Sequence, residues 1–334
     1  MMLPAAMNNA TVRNLGFAFL TISLMLWATP PLALLAGMAF ALLFGVPFAQ
    51  SGAHFAKRLL QVCVVFLGFG MNLPVILRAG ISGSLFAAVT IGATLLLGYW
   101  VGSFLKLNKK TTALISAGTA ICGGSAIAAV GSVIAVTEAE IAVAIGTVFL
   151  LNAAALYIFP LVGHALHLSQ AQFGLWSGVA VHDVSSVVGA ALSYGPDALE
   201  TATAVKLSRT LWIVPITFGM ALAFNKGTQK LVNAESSIGA RNIRKFKIAV
   251  PWFIGFFLMA SLSRSFVPVV STWAPHISQI ARSGMTLVLC LIGASLSVRT
   301  LRVLGWRAAT LGLVLWIFIS ASSLLVIRLC NLKP

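Results

Sequence analysis

The sequence predicts an all-α polytopic membrane protein of about 11 transmembrane helices, and three observations carry that prediction. Of its 334 residues, 59% are hydrophobic and only 8% charged, against about 25% charged in a soluble domain. Its apolar residues gather into eleven stretches near the length of a bilayer crossing, for which about 20 residues suffice. These stretches are continuous rather than alternating, which excludes a membrane β-barrel. Finally, the 22 Lys and Arg against 6 Asp and Glu, a net charge of +16, fall mainly into alternate connections. In a soluble protein that excess would point to nucleic acid; between apolar helices it points to cytoplasmic loops.

The expected crossings are 14–29, 32–49, 59–77, 82–105, 113–136, 141–163, 173–193, 201–224, 248–266, 277–298 and 308–328. The first has the look of a signal peptide, with Arg13 before it. However, Pro30, Pro31 and a second apolar run follow directly, with no polar mature domain, so it is expected to remain as a helix. With strict alternation, one face receives Arg13, Lys57, Arg58, Lys106, Lys109, Lys110, the basic residues between Lys226 and Lys247, and Arg299, Arg302 and Arg307. The other receives Arg78, Arg328 and Lys333 with Glu138, Glu140, Asp197 and Glu200. That places the N-terminus in the cytoplasm and the C-terminus outside. The whole chain 1–334 is expected to form one transporter domain: helices over 14–224, a basic cytoplasmic loop 225–247, and helices over 248–328.

The fifth stretch, TTALISAGTAICGGSAIAAVGS (111–132), is expected to break. Glycine costs about 1 kcal/mol relative to alanine inside a helix, and Gly118, Gly123 and Gly124 stand among Thr119, Cys122 and Ser125. Two half-helices would meet near the bilayer centre, with free N–H groups at Gly123, Gly124 and Ser125 facing an anion well. Tight helix packing by small residues is the alternative. In the seventh stretch, GVAVHDVSSVVGAA (178–191), His182 and Asp183 sit beside Ser185 and Ser186. An ionisable residue at membrane depth is a functional candidate, although a lone Asp can also tie down a neighbouring helix. As a continuous helix, this stretch puts His182 and Asp183 on one face with Ser186.

The eighth stretch, TATAVKLSRTLWIVP (201–215), carries Lys206 and Arg209. Snorkelling to the outer interface suits Lys206 and suits the deeper Arg209 less. An Asp183–Arg209 ion pair is geometrically possible, and two cations against one acid favour an anionic ligand, with guanidinium matching an oxyanion bidentately. Arg264 and Arg282 are expected to anchor helix ends at the interface. The segments FLGFGMNLPVILRAG (66–80) and CLIGASLSVRTLRVLG (290–305) echo one another in opposite senses, and their polar positions Asn72 and Ser297 are lesser candidates. Inverted repeats of this kind are found in secondary transporters. Cys63, Cys122, Cys290 and Cys330 have neither metal-ligand nor CxxC spacing and are expected to be buried thiols. No HExxH, GxSxG or nucleotide-loop motif points to an enzyme, and no metal or cofactor is expected.

The blocks SAGTAICGGSAIAAV (116–130), GVAVHDVSSVVGAA (178–191), VKLSRTLWIVP (205–215) and VPWFIGF (250–256) together resemble the YeiH-type family of sulfate exporters. CGGSA and VHDVSSV are the specific parts. The resemblance implies membership of the cation–proton antiporter and anion transporter superfamily, with inverted repeats and discontinuous helices that cross at mid-membrane. It also implies a bacterial inner-membrane carrier of sulfate- or sulfonate-type anions. A small anionic substrate, the lipid bilayer and a second copy in a homodimer are the expected partners. Under strict alternation the stretches 113–136 and 173–193 both run outward, which conflicts with an inverted crossing pair. The competing expectations are a sodium–proton antiporter using Asp183 and a non-transporting sensor or assembly protein. The cations argue against the sodium reading, because a sodium site wants net negative oxygen ligands.

Overall fold

The computed structural model describes residues 10–28, 30–45, 49–71, 73–232, 252–295 and 305–329. Among them the chain is helical throughout, with no strand. In order, the helices are α1 (Ala10–Trp27), α2 (Pro30–Phe44), α3 (Ala49–Gly68), α4 (Leu73–Phe104), α5 (Lys109–Ala120), α6 (Gly124–Val133), α7 (Glu138–Ala165), α8 (Gln170–Ala180) and α9 (Val184–Tyr194). They continue with α10 (Pro196–Leu211), α11 (Ile213–Val232), α12 (Trp252–Phe266), α13 (Pro268–Ser295) and α14 (Trp306–Leu329). Stretches in α4, α7, α10–α11, α13 and α14 are each long and apolar enough to cross a membrane. Large apolar side chains such as Phe19, Leu96, Trp100, Leu161 and Phe318 face outward, as a lipid-facing surface requires.

The fifth and seventh stretches do not run on as rods; each turns back to the face it entered from. Lys110 Nζ, at the start of α5, donates to the Ala135 carbonyl just beyond α6 at 2.7 Å. Asn108, the N-cap of α5, donates to Glu140 Oε1 in the first turn of α7 at 2.8 Å. A Cβ built on Gly131 would meet Ile141, whereas one on Gly124 would meet Phe149, so α6 descends antiparallel to α7. The α8–α9 pair behaves likewise. The Tyr194 ring at the end of α9 stacks on Phe173 at the start of α8, with centroids 3.8 Å apart. Its hydroxyl donates to the Leu168 carbonyl at 2.7 Å, and Asp197 N–H donates to Gln170 Oε1 at 2.9 Å. The arms α8 and α9 have 11 residues each. At 1.5 Å per residue that is about 16 Å, roughly half the ~30 Å hydrocarbon core.

This replaces two expected crossings by two re-entrant hairpins. Between them, α7 runs the full depth, so the hairpins enter from opposite faces. Hairpin α5–α6 starts and ends on the face of Lys106, Lys109 and Lys110, and hairpin α8–α9 starts and ends on the face of His167 and Asp197. Glu138 and Glu140 therefore lie on the same face as Lys110, not opposite it. The two missing crossings cancel, so the hairpins leave the alternation of the later connections unchanged. Each hairpin is followed by a full-length pass, α7 after the first and α10–α11 after the second, with opposite orientations.

Two bundles surround this arrangement. In one, α13 packs along α2 and α3, with α1 and α12 completing it. In the other, α4 to α11 and α14 enclose the hairpins. The α2–α13 contact is backbone to backbone: a Cβ on Gly37 would lie 2.0 Å from the Cys290 carbonyl oxygen, and one on Gly293 would lie 2.1 Å from that of Leu34. Glycines that admit such approach drive helix pairing where the hydrophobic effect cannot. Gly293→Leu is expected to lower the melting temperature of the detergent-purified protein by several degrees. Overpacking costs about 1–3 kcal/mol, and ~1 kcal/mol is worth about 2–4 °C in a large domain. Gly92→Leu, at a position with nothing within 4 Å, is the control and should leave it unchanged.

Helix boundaries differ from expectation where side chains cap them. The third helix ends at Gly68 rather than near 77. Beyond it Arg264 Nη1 donates to the Phe69 and Gly70 carbonyls, Ser261 Oγ donates to the Met71 carbonyl at 2.7 Å, and Leu73 N–H donates to Ser265 Oγ at 3.1 Å. Arg264 thus fastens the α3–α4 junction. Cys63, Cys122 and Cys290 are buried free thiols. Asn72, Ser297, Cys330 and most of the basic connection 225–247 lie outside the described residues, although α11 continues to Val232.

Candidate functional site

The hairpin tips meet at the middle of α7. The first tip, 121–123, follows the end of α5 at Ala120. Gly123 has φ +68°, a left-handed conformation that a side chain disfavours. A Cβ there would also lie 3.3 Å from Val148 and 3.4 Å from the Asp183 Cβ. The break predicted from the Gly-Gly pair is therefore present, and Gly123 is needed for the turn, with the second tip within van der Waals reach of it. Gly123 is the N-cap of α6 and offers no side-chain acceptor; the Cys122 sulfur takes the Ala126 N–H, which leaves the Gly124 and Ser125 amides as the uncapped ones. Such groups carry the positive end of the helix dipole.

The second tip is 181–183, between α8 and α9. His182 and Asp183 are not on a helix face. Asp183 is instead the N-cap of α9: it accepts from Ser186 N–H at 3.1 Å and from the Ser185 hydroxyl. A carboxylate in that position satisfies an orphan donor and complements the dipole. His182 N–H donates to Asn152 Oδ1 at 3.0 Å, which ties the tip to α7. Both imidazole nitrogens of His182, buried at 0% exposure, have no partner among the described residues. Gly178 and Gly174 bring α8 against α10: a Cβ on either would meet Val205 and the Ala202 carbonyl, or Thr201 and the Ala198 carbonyl.

That contact carries α10 parallel to α8 down to the tips, where its two cations lie. Lys206 and Arg209 are 0% and 1% exposed, so neither snorkels. Lys206 Nζ donates to the Ile121 carbonyl at 3.2 Å. Arg209 Nη1 donates to Thr90 Oγ1 of α4 at 2.8 Å, and its Nη2 donates to the Ala120 carbonyl. These carbonyls are the C-terminal end of α5, where a helix dipole concentrates negative charge, so each cation is worth up to ~2 kcal/mol there. The Asp183–Arg209 ion pair allowed by the sequence does not form, because each has other partners. Two buried cations and one carboxylate leave the region net positive.

Most of the predicted residues therefore converge. Gly123, Gly124, Cys122, Thr119, His182, Asp183, Ser185, Ser186, Lys206 and Arg209 gather at the two tips. Ser125, the first residue beyond Gly124, is exposed. Thr90 and Asn152 were missed. Asn152 had a signal, a lone amide within the apolar run of α7, whereas Thr90 becomes relevant only through the fold. A small space of about 10 Å³ separates Asn152, Asp183 and Ser186 from Leu34 of α2 and Ile292 of α13. It is the size of one water molecule and lies where the two bundles face each other. Nearer the outer face, a cavity of about 150 Å³ opens between the bundles beside Asp197, Glu200 and Arg282. Arg282 lines this cavity. No group of three or more His, Cys, Asp or Glu able to hold a metal occurs among the described residues.

Comparison with known proteins places this arrangement in a family. No solved structure matches the chain. A UPF0324 membrane protein of Porphyromonas gingivalis is 46% identical over 309 residues, covering 91% of this chain and 88% of that protein. One from Bacteroides thetaiotaomicron is 43% identical, covering 89% and 86%, and one from Shewanella oneidensis is 39% identical, covering 88% of each. The family model described as conserved hypothetical protein 698 matches residues 14–312. The chain therefore belongs to that family of UPF0324 membrane proteins, which is the YeiH family indicated by its CGGSA and VHDVSSV blocks.

Proposed function

We propose that this protein is a secondary active transporter of a small oxyanion of the sulfate, sulfite or sulfonate type, an exporter coupled to protons or another ion. The observation that carries the reading is the meeting of two half-depth hairpins, entered from opposite faces, around two buried cations. Non-helical backbone at membrane depth is tolerated only inside protein or along a cavity. Here it forms two tips, each at the end of a hairpin that opens toward one side. A ligand held between them is released to one face or the other according to which tip withdraws, which is alternating access. The uncapped start of α6 and the surplus positive charge suit an anion. Gly123, Gly124 and the Ser125 amide would contact it, Lys206 and Arg209 would neutralise it, and His182 and Asp183 would take up or release the coupling proton. Nine passes and two hairpins among the described residues, with the basic connections facing inward, support a cytoplasmic N-terminus and an outer C-terminus in a bacterial inner membrane.

The test is flux of labelled sulfate, sulfite and simple sulfonates into proteoliposomes under imposed pH gradients. Saturable flux of at least one is expected, and absence of flux for all of them at every gradient would sink the anion reading. One observation favours a second reading, sodium–proton exchange at Asp183. Its carboxylate is only half-buried and is hydrogen-bonded to Ser185 and Ser186 rather than to a cation. Asp183→Asn separates the two: exchange would stop entirely, while anion binding would persist.

A further inference from the structure

The groups left without partners at the tips describe a ligand. The Asn152 amide nitrogen, the His182 ring nitrogens, the Thr119 hydroxyl and Arg209 Nε are all buried and unpartnered among the described residues. None of these side chains exceeds 3% exposure. The Asn152 amide is not free to turn over, because its Oδ1 accepts the His182 N–H at 3.0 Å; the nitrogen is the atom left over. All four side chains can donate, and a buried donor without an acceptor is destabilising. The uncapped amides of α6 extend the same character. Beside these groups stands one carboxylate, which can only accept when ionised. Asp183 shares the small space between the bundles with Asn152 and Ser186, and Lys206 and Arg209 are engaged elsewhere.

Resting on the transporter reading, we infer that the ligand has two ends, an oxyanion held by Asn152, His182 and the α6 amides, and a hydrogen-bond-donating end held by Asp183. An anion without such a donor would bring like charge against the Asp183 carboxylate. Two sources share the required chemistry: an aminosulfonate, whose ammonium would pair with Asp183, and an oxyanion that retains a proton, such as hydrogen sulfite. Asn152 is then a specificity-determining residue. The space present holds a water-sized group, so entry requires Leu34 and Ile292, which belong to the other bundle, to draw away from α9.

Matched ligands test this on the full-length protein in detergent, with binding followed by thermal stabilisation. Ethanesulfonate and 2-aminoethanesulfonate present the same oxyanion and differ in the donor; for the second source, methanesulfonate and, at mildly acid pH, hydrogen sulfite are both singly charged three-oxygen anions, of which only hydrogen sulfite has a proton to donate. At least one donor-bearing member is expected to bind about tenfold more tightly than its partner, the margin of one charge-assisted hydrogen bond. Asp183→Asn should abolish that difference while leaving ethanesulfonate bound no more weakly, and Asn152→Leu should weaken both members of a pair. Equal binding within both pairs, or tighter binding of the donorless members, overturns the two-ended ligand and leaves the anion reading standing. Failure of all four to bind the wild-type protein removes the anion reading and this inference with it.

Discussion

Arg209→Ala is expected to reduce flux of the transported anion at least about 100-fold. The guanidinium bridges three elements: α10, which carries it, Thr90 of α4, and the Ala120 carbonyl that ends α5. Hydrogen bonds to a charged group contribute about 1.5–3 kcal/mol each, and ~1.4 kcal/mol is a factor of ten. Losing both would take away the polar tie between the end of α5 and Thr90 of α4, leaving the Lys206 bond to Ile121 to hold the first tip to α10, and would remove one of the two cations that make the region positive. Arg209→Lys keeps the charge and loses the fork. It reaches one acceptor at a time, so an intermediate loss of about tenfold is expected, with the protein still folded. Flux in proteoliposomes, read beside the melting temperature, checks both variants. Wild-type flux in Arg209→Lys and Arg209→Ala alike would remove Arg209 from the transport machinery.

Cysteines introduced at Thr137 and His167 are expected to label from opposite faces, Thr137→Cys from the cytoplasm and His167→Cys from outside. In a Cys330→Ser background the remaining thiols at Cys63, Cys122 and Cys290 are buried and should stay silent to a membrane-impermeant maleimide. The effect is all or none. Re-entrant hairpins put Thr137 on the cytoplasmic face with Lys110, whose Nζ lies 2.7 Å from the Ala135 carbonyl. Eleven straight crossings reverse both positions. Asp197→Cys, which is outside in either arrangement, calibrates the sidedness. Labelling of Thr137→Cys from outside and of His167→Cys from the cytoplasm would overturn the hairpins.

That reversal shows what the sequence could and could not convey. Apolar stretches were legible because lipid contact demands them, and every expected stretch coincides with a helix or a pair of helices. Whether a stretch crosses or returns is not a matter of hydropathy. It depends on contacts across the stretch, such as Tyr194 on Phe173 or Asn108 with Glu140, which residue order hides. The charge count gave no warning, because two returning stretches restore the alternation that one would have broken. The first break was legible from Gly123 and Gly124, since glycine marks a turn by its backbone. The second was not: 181–183 holds no glycine or proline, and Asp183 looked like an intramembrane acid when it is also a helix cap. The buried cations were legible as exceptions to the apolar rule, but their partners are backbone carbonyls of α5, which no sequence pattern displays.

The grip of Lys206 and Arg209 on the end of α5 has a mechanical consequence. These residues sit on the helix that follows the outer hairpin directly, joined to it through Gly195 alone, yet they hold the tip of the inner one. A pull on the outer hairpin at its base would be transmitted along α10 to the opposite tip. On the transporter reading these tips are the two gates, wired in series rather than left to fluctuate separately, and such coupling resists the one failure a carrier must avoid, an open channel that drains the gradient.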